Sequence, residues 1–194
     1  MRPQHAIMSC FLLQALAFGA WLPRIPEVQD RLGLGTGDLA IALLGLPLGL
    51  LVTMPFAGPI VARLGGRTTI VASFPAFLAA ISLPALSTHM LMLFAALFLC
   101  GIAMSMIELG MNIVADEVER ARGVNIMSRC HGFWSLGMTA GSLLSVGLAS
   151  VGVPAHWAIM LIAAGVLPLA LLVCRALPPS TAHAPQQREG KVSG

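Results

Sequence analysis

Glu108 is the one acidic side chain set well inside an apolar stretch of this 194-residue chain. Asn112 follows four residues later, on the same face of a helix. His131 opens the next apolar stretch, and Ser135 and Thr139 follow at further four-residue steps. A carboxyl group kept from bulk water prefers its neutral form. It therefore loads and releases a proton as water or a solute comes and goes. Histidine changes charge in the physiological range. Gln14, in the middle of the first apolar stretch, both donates and accepts hydrogen bonds. Glu108, Asn112, Gln14 and His131 are thus the candidate substrate- and proton-binding residues. The rise of a helix places Glu108 and His131 at similar depth on either side of a turn near residue 121. Plainer roles compete with this one. Glu108 can hydrogen-bond Asn112 or a backbone carbonyl while neutral, or reach water at the headgroups; His131 can sit at the interface; Gln14 can tie two helices together.

Other chemistry finds no motif. Neither HExxH nor GxSxG occurs, and His131 and Cys130 lack spaced partners, so the chain does not read as an enzyme and no cofactor is expected. Cys10, Cys100, Cys130 and Cys174 lie far apart, in or beside apolar segments, and read as small apolar residues rather than metal ligands or a disulfide framework. Met104, Met106 and Met111 read as core or lipid-facing.

The elements that carry these residues follow from composition. The chain is 57% apolar and 10% charged, with a mean hydropathy of +0.88. Soluble domains carry about 25% charged residues, and disorder needs low hydrophobicity, so both classes are excluded. A membrane-crossing helix takes about 20 apolar residues. Six such spans are predicted, over about 5–22, 39–61, 68–87, 90–114, 130–152 and 156–174. Residues 1–175 form one transmembrane unit, and the polar tail 176–194, with Pro178, Pro179 and Pro185, reads as disordered. Ala15-Leu16-Ala17 resembles a signal-peptide cleavage site. Five further apolar segments follow, so the first segment is read as a span that stays attached. Ile7-Met8-Ser9-Cys10 is not a lipoprotein box, because no apolar region precedes it.

The net charge of +3 comes from ten Arg and one Lys against eight acids. In a membrane protein such residues gather in cytoplasmic loops, so no nucleic-acid partner is read from them. Arg2, Arg63, Arg67, Arg120, Arg122, Arg129, Arg175, Arg188 and Lys191 fall on one side, and Arg24 and Arg31 on the other. Both termini are therefore expected in the cytoplasm, as an even number of spans requires. Trp21 and Trp157 are expected as outer-boundary anchors and Trp134 as an inner one.

Small residues recur every four positions in span two (Gly45, Gly49, Thr53, Ala57) and in span five (Gly137, Gly141, Ser145, Ala149). Each is the middle span of a group of three, and the second group starts on the opposite side of the membrane. This is the pattern of a 3+3 inverted repeat. Any polytopic protein also has such stripes, since small residues let helices approach. Pro47, Pro55, Pro75 and Pro84 fall inside apolar spans and are expected to kink them.

Together these residues resemble the N-terminal six-helix half of a major facilitator superfamily transporter. The loop after span two reads Gly58-Pro59-Ile60-Val61-Ala62-Arg63-Leu64-Gly65-Gly66-Arg67. Gly58, Arg63, Gly65 and Arg67 match the family's gating-loop signature; Ala62 stands where it has an acid and Gly66 where it has a second basic residue. The segment Glu108-Leu109-Gly110-Met111-Asn112 is similar to the fourth helix of the fucose–proton symporter branch, and Asn125 to Gly137 to its fifth-helix entrance. The Trp21–Pro26 and His131–Gly137 runs also resemble uncharacterised bacterial inner-membrane members. The resemblance implies an all-α, six-transmembrane-helix bundle in the bacterial inner membrane. It further implies secondary transport of a small polar solute, of the sugar class and proton-coupled, with Glu108 as a substrate or proton site. The branch's acid in the first helix has no equivalent here, where Gln14 is the strongly polar side chain. The superfamily places its substrate between two halves. The implied partners are thus the bilayer, the solute, protons, and a second six-helix half or a homodimer partner, with the small-residue stripes facing that partner. The competing expectation is a non-transporting, truncated or partner-dependent half-protein.

Overall fold

The computed structural model describes residues 1–179. Eight α-helices and two 3-10 turns make six spans, with no strand among the described residues. Helix α1 (Pro3–Gly19) continues through a 3-10 turn, Leu22–Arg24, into the short α2 (Ile25–Leu32). Helices α3 (Thr36–Leu43) and α4 (Gly45–Leu64) form the second span, α5 (Gly66–Ser82) the third, and α6 (Met90–Arg122) the fourth. The fifth and sixth are α7 (Met127–Ser150) and α8 (Ala155–Cys174).

The connections are more helical than their polarity suggests. The segment 24–38, expected as a polar loop, holds α2, whose Glu27, Asp30 and Arg31 outline a polar face while Val28 is buried. The charged stretch after residue 116 continues α6 to Arg122. At about 1.5 Å per residue, this 33-residue helix outruns a hydrocarbon core of about 30 Å. Arg120 pairs with Asp116 one turn earlier, and Gly123, at φ 62°, closes the helix in the left-handed conformation. Glu119 Oε1 accepts from the backbone amides of Ile126 and Met127, which seats the start of α7. At the other end, Glu27 Oε1 accepts from Ala155 N at 2.8 Å and seats α8 in the same way. A carboxylate is favoured at both places by the amide dipoles of the helix start.

The core lies among α1, α5, α6 and α8, with Ile7, Ile70, Phe74, Phe77, Leu93, Leu97, Ile107 and Ile159 fully buried. Helix α4 lies along α6, and α7 along α1. Exchanging the first three spans with the last three maps each of these pairs onto the other. The two small-residue stripes make both contacts. A Cβ at Gly49 would stand 2.1 Å from the carbonyl oxygen of Phe98, and one at Gly141 2.0 Å from that of Leu16. Gly45 and Gly137 are equally close to Phe94 and Leu12. The expectation that the stripes face a missing half or a second copy is therefore corrected. Gly45 and Gly49 are buried on α6, and Gly137 and Gly141 on α1; Thr53, Ala57 and Ser145 are buried too, Ser145 bonded to Arg24, and of the two stripes only Ala149 is exposed. Spacing marks a close-packing face, and the nearest helix able to fill it is within this bundle.

The tryptophans are also corrected. Trp21 is buried and Trp134 half-buried, so neither is a lipid-facing anchor, whereas Trp157 is exposed. Pro55 and Pro59 are inside α4, Pro75 inside α5 and Pro168 inside α8; Pro47 falls in the first turn of α4 and Pro84 in a 3-10 turn. All four cysteines are free and buried. Leu177, in the segment read as a tail, packs on the core. Residues 180–194, with Pro185, Arg188 and Lys191, lie outside the described residues.

Candidate functional site

Helix α6 places Ser105, Glu108 and Asn112 on one face, at spacings of three and four residues. That face opens on two hollows. The larger, of about 600 Å³, lies against α4 and is lined by Leu50, Met54, Pro55, Ala57 and Gly58, with Ser105, Glu108, Leu109 and Asn112 from α6. The smaller, of about 250 Å³, lies towards α1 and α7, and is lined by Phe11, Glu108, Met111, Asn112, His131 and Trp134. Glu108 and Asn112 border both. Of the lining residues only Glu108 and His131 carry titratable side chains, and neither hollow has an Arg or Lys in its wall.

The structure therefore brings Glu108, Asn112 and His131 to one place. His131 sets its ring edge-on to Phe11, with centroids 5.6 Å apart. Ser135 and Thr139 are not on the wall. Their hydroxyls donate to the carbonyls of His131 and Ser135 within α7, and both residues are exposed. Gln14 is fully buried behind the wall. Its Oε1 accepts from Trp134 Nε1 at 3.0 Å, while its Nε2 has no partner among the described residues. Gln14 thus reaches the smaller hollow through Trp134, whose indole it holds.

Of the gating-loop residues, Gly58 and Arg63 lie within α4, Gly65 makes the turn and Arg67 is in the first turn of α5. Gly58 borders the larger hollow with open space around it. Arg63 is exposed, and Gly65 takes φ 79° where the chain reverses. Arg67 Nη2 donates to the Arg175 carbonyl at 3.5 Å, linking the turn to the end of α8.

Two residues of consequence are outside the set chosen from the sequence. Trp134 lines the smaller hollow. Arg24, which composition places among loop cations, is 2% exposed. Its Nε donates to Ser145 Oγ at 3.0 Å, Nη2 to the Ser145 carbonyl at 2.7 Å, and Nη1 to Glu27 Oε2 at 2.8 Å and the Val153 carbonyl at 3.1 Å. One guanidinium thus fastens the far end of the first span to α7 and to the α7–α8 turn. The run Trp21-Leu22-Pro23-Arg24-Ile25-Pro26 held the signal: two prolines and a tryptophan fix the chain around a single cation.

A family model described as the Major Facilitator Superfamily matches residues 7–193. An uncharacterized MFS-type transporter of Yersinia pestis is 33% identical over 132 residues, which is 68% of this chain and 34% of that protein. An uncharacterized transporter of Sinorhizobium fredii is 31% identical over 143 residues, covering 73% of this chain and 38% of that protein. Membrane protein MosC of Rhizobium meliloti is 26% identical over 147 residues, 76% and 36% of the two chains. The chain spans about a third of the length of the curated relatives it matches.

Proposed function

This chain belongs to the Major Facilitator Superfamily, and from that premise we propose that it is the six-span half of a secondary transporter that reads a solute and a proton at Glu108. The observation that carries this reading is the position of Glu108 and Asn112 between two hollows, with His131 across the smaller one. A carboxyl group there changes protonation as its surroundings are wetted or filled. Intramembrane acids are costly, and where they persist they mark solute or proton paths. Asn112 adds a donor and an acceptor that orient the solute. His131 is the other titratable group facing the same space, and is the proton's route to and from Glu108.

The proposed setting is the bacterial inner membrane with both termini in the cytoplasm. The bundle supports it by segregating its cations. Arg63, Arg67, Arg120, Arg122, Arg129 and Arg175 gather towards the end where Arg67 meets Arg175. Arg24 and Arg31 are at the other, bonded to Val153 and Ser87. Alternating access requires a second half to cover the site, either a further six-span segment or a second copy of this chain. A half that only packs with a partner is the competing reading, favoured by Ala62 and Gly66 in the gating loop.

Uptake into cells making the chain alone, or the chain with a complementary six-span half, separates these readings. A panel of labelled solutes is followed across pH. The transporter reading expects uptake that rises with the second half. It also expects Glu108→Gln to lower that uptake at least tenfold and flatten its pH profile, while the protein still inserts. Uptake unchanged in rate and pH profile by Glu108→Gln contradicts the role given to this residue.

A further inference from the structure

The wall of the larger hollow narrows the solute class, on the reading that Glu108 is the solute site. Nine residues line it, and only Ser105, Glu108 and Asn112 are polar. These three lie on one helix, along one edge. The opposite wall is Leu50, Met54, Pro55, Ala57 and Gly58, whose side chains offer no donor and no acceptor beyond the weak thioether of Met54. A polyhydroxylated ring presents hydroxyls around its whole rim, and those turned towards α4 would be buried unpaired, a costly state. An anion would meet Glu108 with no Arg or Lys in the wall to balance it. A cation with an apolar body satisfies both of these walls. Its charge pairs with the single carboxylate, and its body lies on the aliphatic wall, where Met54 adapts to shape.

We propose that the larger hollow takes an amphipathic organic cation, its charged head at Glu108 and Asn112 and its apolar body against α4. The solute is thus of a different class from the sugar that the branch resemblance implies.

Tetraphenylphosphonium and tetraphenylborate test this, because they share size and shape and differ in the sign of their charge. Saturable binding of each to the purified full chain is measured beside that of methyl glucoside. The expected result is saturable tetraphenylphosphonium binding, no saturable tetraphenylborate binding, and no competition from methyl glucoside. Glu108→Gln weakens the cation at least tenfold. Gly58→Leu, which grows into the hollow from a position with open space around it, removes binding while leaving helical content intact. Methyl glucoside binding that Glu108→Gln abolishes would overturn the cation class and leave Glu108 as the solute site. Cation binding equal in wild type and Glu108→Gln would overturn both. Absence of saturable binding by any of the three probes also overturns the proposal for this hollow, and the uptake assay above then judges Glu108 separately.

Discussion

The α1–α7 pair and the α4–α6 pair are built by the same device and finished differently. In each, two glycines of one helix rest on carbonyl oxygens of the other, and one glycine returns the contact: Gly19 on Met138 and Gly101 on Leu46. Hydrogen bonds then divide them. Across α1–α7, Trp134 donates to Gln14, Ser142 Oγ to the Gly19 carbonyl at 2.9 Å, and Arg24 to Ser145 just beyond the end of α1. Among the described residues no side-chain hydrogen bond crosses α4–α6, and Thr53 turns its hydroxyl back on Gly49 of its own helix. Helix α4 instead holds Pro55 and Pro59, each of which removes a backbone hydrogen bond. One side of the bundle is fastened and the other is free to bend. Glu108 stands between them. The repeat fixes where helices touch, and the polar residues placed on it decide which contact can move.

The largest expected effect falls on what the two sides share. Gly49→Leu and Gly141→Leu each force side-chain atoms into a facing backbone, where no rotamer relieves the clash. Both should abolish the folded monomer on detergent gel filtration. A variant that folds normally would show that the helices are not in backbone contact.

Arg24→Ala separates the sides. It takes the guanidinium away from Ser145, the Val153 carbonyl and Glu27, which is part-exposed and keeps its bond from Ala155 N, and hydrogen bonds to a charged group are worth about 2 kcal/mol. Stability measured by denaturant titration in detergent should fall by roughly that amount, with hydrogen exchange of α7 rising and that of α4 unchanged. An equal rise in α4 would erase the distinction.

Trp134→Phe removes one neutral hydrogen bond, worth about 1 kcal/mol, and leaves Gln14 wholly unbonded. Adding Gln14→Leu should restore most of the loss, because an apolar pair carries no orphaned donor. The smallest effect is expected on α4. Pro55→Ala should leave stability within about 1 kcal/mol and slow amide exchange around residues 51–59. Exchange left as fast as in the wild type would remove the proline hinge from the account.

Much of this framework was legible in the residues. The six spans follow from hydropathy, and the pairing of Gly45 and Gly49 with Gly137 and Gly141 follows from their equal place in the two groups of three. Their direction was not legible, since spacing defines a face and not its neighbour. Arg24 was hidden because a cation in a polar segment looks solvated; its burial depends on Ser145 and Val153, more than a hundred positions away. Trp134 looks like a membrane anchor in the sequence for the same reason, its partner Gln14 being on another helix. Glu108, Asn112 and His131 were legible together because the turn that joins their helices is short enough for distance along the chain to report depth.

Thiol accessibility at position 108 tests the central placement most directly. Glu108→Cys and Leu172→Cys are labelled in membranes with a membrane-impermeant methanethiosulfonate; Leu172 is exposed on the apolar surface of α8, and the four native cysteines are buried. The account predicts rapid modification at 108, slowed by a bound solute, and none at 172. Position 108 as inert as position 172 would put the carboxylate against lipid or sealed protein, and contradict a route through Glu108.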